Sequence, residues 1–83
     1  MTDASESQLF SFLREQVAQR TKTSADQIRM DMSLSDLGLQ SIDAVLVCGE
    51  VEDRFEVEVD PAEIFQHDTL GDFARSIADR MAA

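Results

Sequence analysis

Apolar residues recur at Leu9, Phe12, Leu13 and Val17, at steps of three and four. That spacing puts them on one stripe of a helix from Ser5 to about Arg20, with Ser5 and Gln8 disposed to form a capping box. Phe10 falls off the stripe and is expected to pack against a neighbouring segment or stay partly exposed. Residues 21–40 then lose sustained periodicity. A structureless loop of about twenty residues is uncommon in a compact domain unless it is pinned or functional. Ile28, Met30, Leu34, Leu37 and Leu39 are spaced to pin this one, and one helical turn is expected over Ser24 to Ile28.

A second helix is predicted from Ser41 to about Glu56. At about 100° per residue, Ala44, Val47, Cys48, Val51 and Phe55 share one arc and form the expected inner face. Ile42, Val45, Leu46, Gly49, Glu52, Asp53 and Glu56 share a second arc, a small apolar patch bordered by carboxylates. Such an arc suits either a docking surface or a helix buried nearly all round. The carboxylates favour docking, because unpaired acids are rarely buried. Glu50 and Arg54, four apart, are expected to form an ordinary exposed pair.

Val57, Glu58 and Val59 alternate like a strand but are too few, with no partner, to be more than an extended link. Asp60-Pro61-Ala62-Glu63 reads as a helix start, with Asp60 as cap, proline at the first helical position and Glu63 completing a box. Ile64 and Phe65 follow, and His67 ends the turn. Thr69 and Asp72 then suggest another cap, before Leu70, Phe73, Ala74, Ile77, Ala78 and Met81 recur at helical steps. The class is all-α: a small four-helix bundle, three long helices and one short, with a long loop between helices 1 and 2.

At 83 residues and 43% hydrophobic content the chain has room for one compact domain and no second. Its 17 acidic against 7 basic side chains give a net charge of -10. Nucleic-acid phosphates and anionic membranes are thereby disfavoured, and basic protein surfaces favoured. The single cysteine, Cys48, rules out an internal disulfide and a multi-cysteine metal site, and fits a reducing cytoplasm. No segment approaches the roughly 18 apolar residues of a membrane span, and the acidic start Met1-Thr2-Asp3-Ala4-Ser5-Glu6 is unlike a secretory signal. A cytoplasmic monomer that neither binds nucleic acid nor enters a membrane is expected.

Catalytic candidates are thin. His67, the one imidazole, lies between a predicted helix end and a capping position, where it suits stabilising the last carbonyls. Cys48 falls on the inner arc and reads as a small core residue. Asp26, Asp31 and Asp36 recur every five residues, which does not reproduce a calcium loop. No phosphate loop or dinucleotide fingerprint occurs. Neither a catalytic residue nor a metal ligand is therefore assigned. What stands out is Leu37-Gly38-Leu39-Gln40-Ser41-Ile42-Asp43, a glycine and a turn leading into the longest apolar run with Ser41 at the predicted cap. Serine there either merely caps the helix or offers its hydroxyl at the positive helix end.

Leu37-Gly38-Leu39-Gln40-Ser41-Ile42 is similar to the Leu-Gly-x-Asp-Ser-Leu/Ile signature of acyl carrier proteins, and Phe65-Gln66-His67-Asp68-Thr69-Leu70 resembles the Phe-x-His-Pro-Thr segment of polyketide synthase carriers. The resemblance extends from Leu9 to Met81 and includes Asp53-Arg54-Phe55 and Asp60-Pro61. It implies that residues 1–83 are a single acyl-carrier-like domain without catalysis of its own. A separate phosphopantetheinyl transferase would attach 4'-phosphopantetheine to Ser41, and its thiol would hold acyl intermediates as thioesters in polyketide or fatty acid biosynthesis. Implied partners are that transferase and the ketosynthase, acyltransferase and other acyl-processing enzymes with basic docking patches. They would meet Ile42, Val45, Leu46, Gly49, Glu52, Asp53 and Glu56.

Three positions depart from the pattern. Gln40 replaces the usual aspartate beside the serine and bears on which transferase recognises it. Asp68 replaces the proline, and Leu46 replaces a frequently acidic residue, making the patch more apolar. The Gly-His pair that precedes the serine in many peptidyl carriers is missing, which favours an acyl cargo. A peptidyl or aminoacyl carrier of a nonribosomal peptide pathway, and an unmodified acidic helical adaptor for a basic partner, are the alternatives.

Overall fold

The computed structural model describes the backbone of residues 4–82 and the side chains of residues 7–81. Three α-helices are formed: α1 (Ala4–Thr21), α2 (Ser41–Phe55) and α3 (Leu70–Ala82). A single 3-10 turn (Ala25–Gln27) and a short 3-10 helix (Pro61–Gln66) complete the order, so the short fourth helix is 3-10 rather than α. The Ser5 side chain, and with it the Ser5–Gln8 capping box, lies outside the described residues.

The predicted stripes meet in one core. Leu9, Leu13 and Val17 of α1, Ala44, Val47, Cys48 and Val51 of α2, and Leu70, Phe73, Ala74 and Ile77 of α3 are all buried, joined by Val59 and Ile64. No polar or charged side chain is buried with them among the described residues. Phe55, assigned to the interior, is half-buried: its ring meets Phe12 edge-on at 5.6 Å, and the Arg54 guanidinium lies 5.8 Å over the Phe12 ring. Arg54 is thus drawn to an aromatic face, and among the described residues there is no Glu50–Arg54 ion pair. Phe10 is half-buried against the core.

The 22–40 connector is pinned, as its apolar residues require. Ile28, Leu34 and Leu37 are buried, and Met30 and Leu39 pack partly against the core. Arg14 of α1 donates to the Ile28 carbonyl at 3.0 Å and the Ala25 carbonyl at 3.4 Å. Further on, Ser33 pairs with Thr69 in an antiparallel bridge. The second connection is an extended link through Val57 to Asp60. Asp60 Oδ1 accepts from the Ala62 N–H at 2.9 Å, and the Asp60 N–H donates to Glu63 Oε2 at 2.8 Å, the expected capping box. The Thr69 hydroxyl accepts from the Asp72 N–H at 3.1 Å, capping α3.

His67 does not bond the last carbonyls. Its half-buried ring rests 6.0 Å from that of Phe73 and makes no hydrogen bond among the described residues. No described helix is long and apolar enough to cross a membrane.

Candidate functional site

Ser41 stands exposed as the first residue of α2. The cap is Gln40, one residue earlier than the sequence pattern indicates: its backbone is extended, and its carbonyl accepts the first helical bond from the Ala44 N–H at 3.0 Å. Asp43 reaches back to accept the Gln40 N–H at 3.1 Å. Because Gln40 and Asp43 close the helix start, the Ser41 hydroxyl is not needed for capping and makes no hydrogen bond among the described residues. It stands where the unpaired N–H groups of a first turn create positive potential.

The approach to Ser41 is a compact turn. Asp36 and Leu37 donate to the Ser33 carbonyl at 3.0 and 3.2 Å, and Gly38 donates to that of Ser35 at 3.3 Å. Gly38 has φ +77°, the left-handed region in which a side chain is strained. Leu37 is buried just before it, so the chain is anchored and then reversed onto Gln40 and Ser41.

The second arc of α2 faces outward as expected: Ile42, Val45, Leu46, Glu52, Asp53 and Glu56 are exposed and Gly49 is half-buried. No atom lies within 4 Å of where a Gly49 Cβ would be, so that glycine leaves a flat spot without being required by a neighbour. The arc is not uniform. Its apolar members cluster next to Ser41, whereas Glu52 begins roughly 16 Å along the axis at 1.5 Å per residue. Glu52 Oε2 also accepts the Val59 N–H at 2.9 Å, and so fastens the link after α2. Glu56 is the C-cap of α2, in the left-handed region at φ 54°.

Around that acidic end an open groove is lined by Glu52, Glu56, Glu58, Asp60, Glu63 and Arg80 among others. Arg80 is ion-paired with Glu63 and donates to the Glu58 carbonyl at 3.1 Å. Phe65, which the sequence pattern does not place on the docking face, is the fourth large apolar side chain left exposed among the described residues, and its helix packs against α2. The sequence signal for it is slight: the adjacent Ile64 takes the core position, so on so short a helix Phe65 must point elsewhere.

Cys48 is buried in α2, and its thiol is pushed up to about 11 by desolvation, with the Glu52 and Asp60 charges adding. It is therefore a protonated core residue and not a nucleophile. Among the described residues no cluster of His, Cys, Asp and Glu is placed to hold a metal ion.

The family model for the phosphopantetheine attachment site matches residues 11–77. Over 72 residues, 87% of the chain, it is 31% identical to the non-reducing polyketide synthase Dhc5 of Alternaria cinerariae, of which it covers 4%. The fold is shared with a free-standing peptidyl carrier protein from Acinetobacter baumannii, with TM-score 0.80 and 24% identity over 89% of this chain and 92% of that one. It is shared equally with the HMG-ACPI domain of the CurA module from Lyngbya majuscula, with TM-score 0.79 and 23% identity over 99% of this chain and 87% of that one. With an exposed serine at a helix start, an all-α core of the carrier-protein fold and a family match across most of its length, the chain belongs to the phosphopantetheine-attachment family as a carrier domain.

Proposed function

We propose that Ser41 is the attachment point of 4'-phosphopantetheine and that the domain carries acyl intermediates for polyketide assembly or fatty acid synthesis. The observation that supports this most directly is the exposed Ser41 hydroxyl, free of any capping duty, at the N-terminus of α2. In the transfer, Ser41 Oγ forms a bond to phosphorus and the pyrophosphate P–O bond of coenzyme A breaks. The adenosine bisphosphate half leaves with the bonding electron pair, and the serine proton passes to a base of the transferase. The phosphodiester, an anion, would sit at the helix N-terminus, favourable by roughly 0.3 to 1 kcal/mol. When attached, the group supplies a flexible arm whose thiol holds the acyl chain as a thioester.

Docking falls to Ile42, Val45, Leu46, Gly49, Glu52, Asp53 and Glu56, with Phe65 an added apolar contact. The partners are the transferase and acyl-processing enzymes with basic patches. The match to a polyketide synthase and the missing Gly-His pair before Ser41 support an acyl cargo. The chain spans only 3 to 4% of the length of the curated relatives it matches, so cargo and pathway are part of the proposal.

The test is intact mass after incubation with coenzyme A and a broadly acting transferase. A gain of one phosphopantetheine group, absent in Ser41→Ala, is expected. No gain with several transferases would leave an unmodified acidic adaptor. Loading of the modified protein by an adenylation enzyme with an aminoacyl group, and not by an acyltransferase, would make it a peptidyl carrier.

A further inference from the structure

The turn that carries Ser41 is held by a segment far away in sequence. Residues 30–34 run antiparallel to residues 68–71: Leu34 donates to the Asp68 carbonyl at 3.2 Å, Leu70 to that of Met32 at 3.1 Å, and Gly71 to that of Met30 at 2.7 Å. The shortest of these bonds depends on a missing side chain. A Cβ at residue 71 would lie 2.9 Å from the Met30 carbonyl oxygen and 3.4 Å from Met30 Cβ. Gly71 is buried and helical, so it supplies room and not a special backbone conformation. Glycine is a poor helix former; its place in the first turn of α3 is explained by the contact and not by the helix.

That contact lies upstream of Ser41 and downstream of Phe65. The 30–34 segment leads through buried Leu34 and Leu37 and left-handed Gly38 to Gln40 and Ser41. The 68–71 segment begins just after the short helix that bears Phe65. The clasp therefore ties the serine turn to the Phe65 helix, while α2 itself is anchored separately through Val47 and Val51. We propose that Gly71 is a positioning residue, which by seating the 30–34 segment against α3 sets where Ser41 is presented to the transferase. The proposal rests on reading Ser41 as the attachment residue.

Gly71→Ala must push its new Cβ against the Met30 backbone carbonyl. The expected result, measured where the variant is fully folded, is a roughly tenfold drop in kcat/KM for modification, since misplacement of a reacting group by a fraction of an ångström is costly. Amide hydrogen exchange over 30–41 in the unmodified protein is expected to quicken. Ala78→Gly, a helix-weakening change elsewhere on α3, should leave modification within about twofold of wild type. Should Gly71→Ala fail to fold, Leu34→Ala loosens the same segment from its other side and is expected to give the same pattern. Faster exchange over 30–41 with wild-type modification would overturn the proposal, as would unchanged exchange. A wild-type protein that takes up no phosphopantetheine would instead sink the reading of Ser41, and the proposal with it.

Discussion

On the inner face of α2, Ala44, Val47, Cys48 and Val51 are at most 1% exposed, whereas on its outer face Ile42 is 60%, Val45 48% and Leu46 43% exposed. These residues differ little in apolar character and greatly in fate. Scattered exposed hydrophobics are ordinary on a monomer. Three on adjacent turns beside an unengaged serine form a patch that suits a partner. Stability and recognition are therefore carried by different side chains of one helix and should respond separately to substitution.

The largest expected effect is on the inner face. Val47→Ala should cost roughly 2 kcal/mol through lost burial and a residual cavity, read as a lower urea midpoint at unchanged m-value, while modification of the folded protein is unaffected. A comparable loss from Val45→Ala would break the assignment of faces.

The outer face should respond kinetically. Replacing Glu52, Asp53 and Glu56 together with Gln, Asn and Gln should slow association with a basic partner about tenfold, and added salt should slow the wild type similarly. A rate indifferent to both changes would make docking apolar.

Cys48 sharpens the comparison through pH. Its thiol sits near 11 in the fold against an ordinary 9.0. Below pH 9 both folded and unfolded chains keep the proton, and stability does not depend on this group. Between pH 9 and 11 the unfolded chain ionises first, so stability should fall by at most about 1.4 kcal/mol per pH unit. Denaturation across that range, with Cys48→Ala as control, checks it; a native thiol alkylated readily at pH 8 would contradict the burial.

The smallest effect divides the acids among themselves. Glu52→Ala strands the buried Val59 N–H and should cost about 1 kcal/mol. Glu52→Gln, which keeps a carbonyl acceptor, and Asp53→Ala should stay within about 0.5 kcal/mol. Equal losses from Glu52→Ala and Asp53→Ala would mean the Val59 bond carries no weight.

Much of this molecule is legible in its pattern, and the reason is range. The stripes Leu9–Leu13–Val17 and Leu70–Phe73–Ala74–Ile77, the inner face of α2 and the caps at Asp60 and Thr69 all depend on residues within four positions of one another. The misses are of two kinds. At helix ends the competing caps are close: Gln40 and Asp43 together displace Ser41 from the cap by one residue, and Glu56 takes a left-handed conformation usually left to glycine. Elsewhere the competitor is distant: Phe12 draws Arg54 away from Glu50 across the α1–α2 packing.

The order of helices, the inner and outer faces of α2, the surplus of acid and the serine after a glycine turn were determined by the sequence alone, because helical periodicity and short-range capping leave few alternatives. The tertiary structure decided that Ser41 is relieved of capping, that Glu52 fastens the link after its own helix, and that Gly71 admits the Met30 carbonyl. The first is a choice between neighbouring caps that local pattern leaves closely balanced, while the other two depend on groups from separated segments arriving within hydrogen-bond distance, which no local pattern encodes.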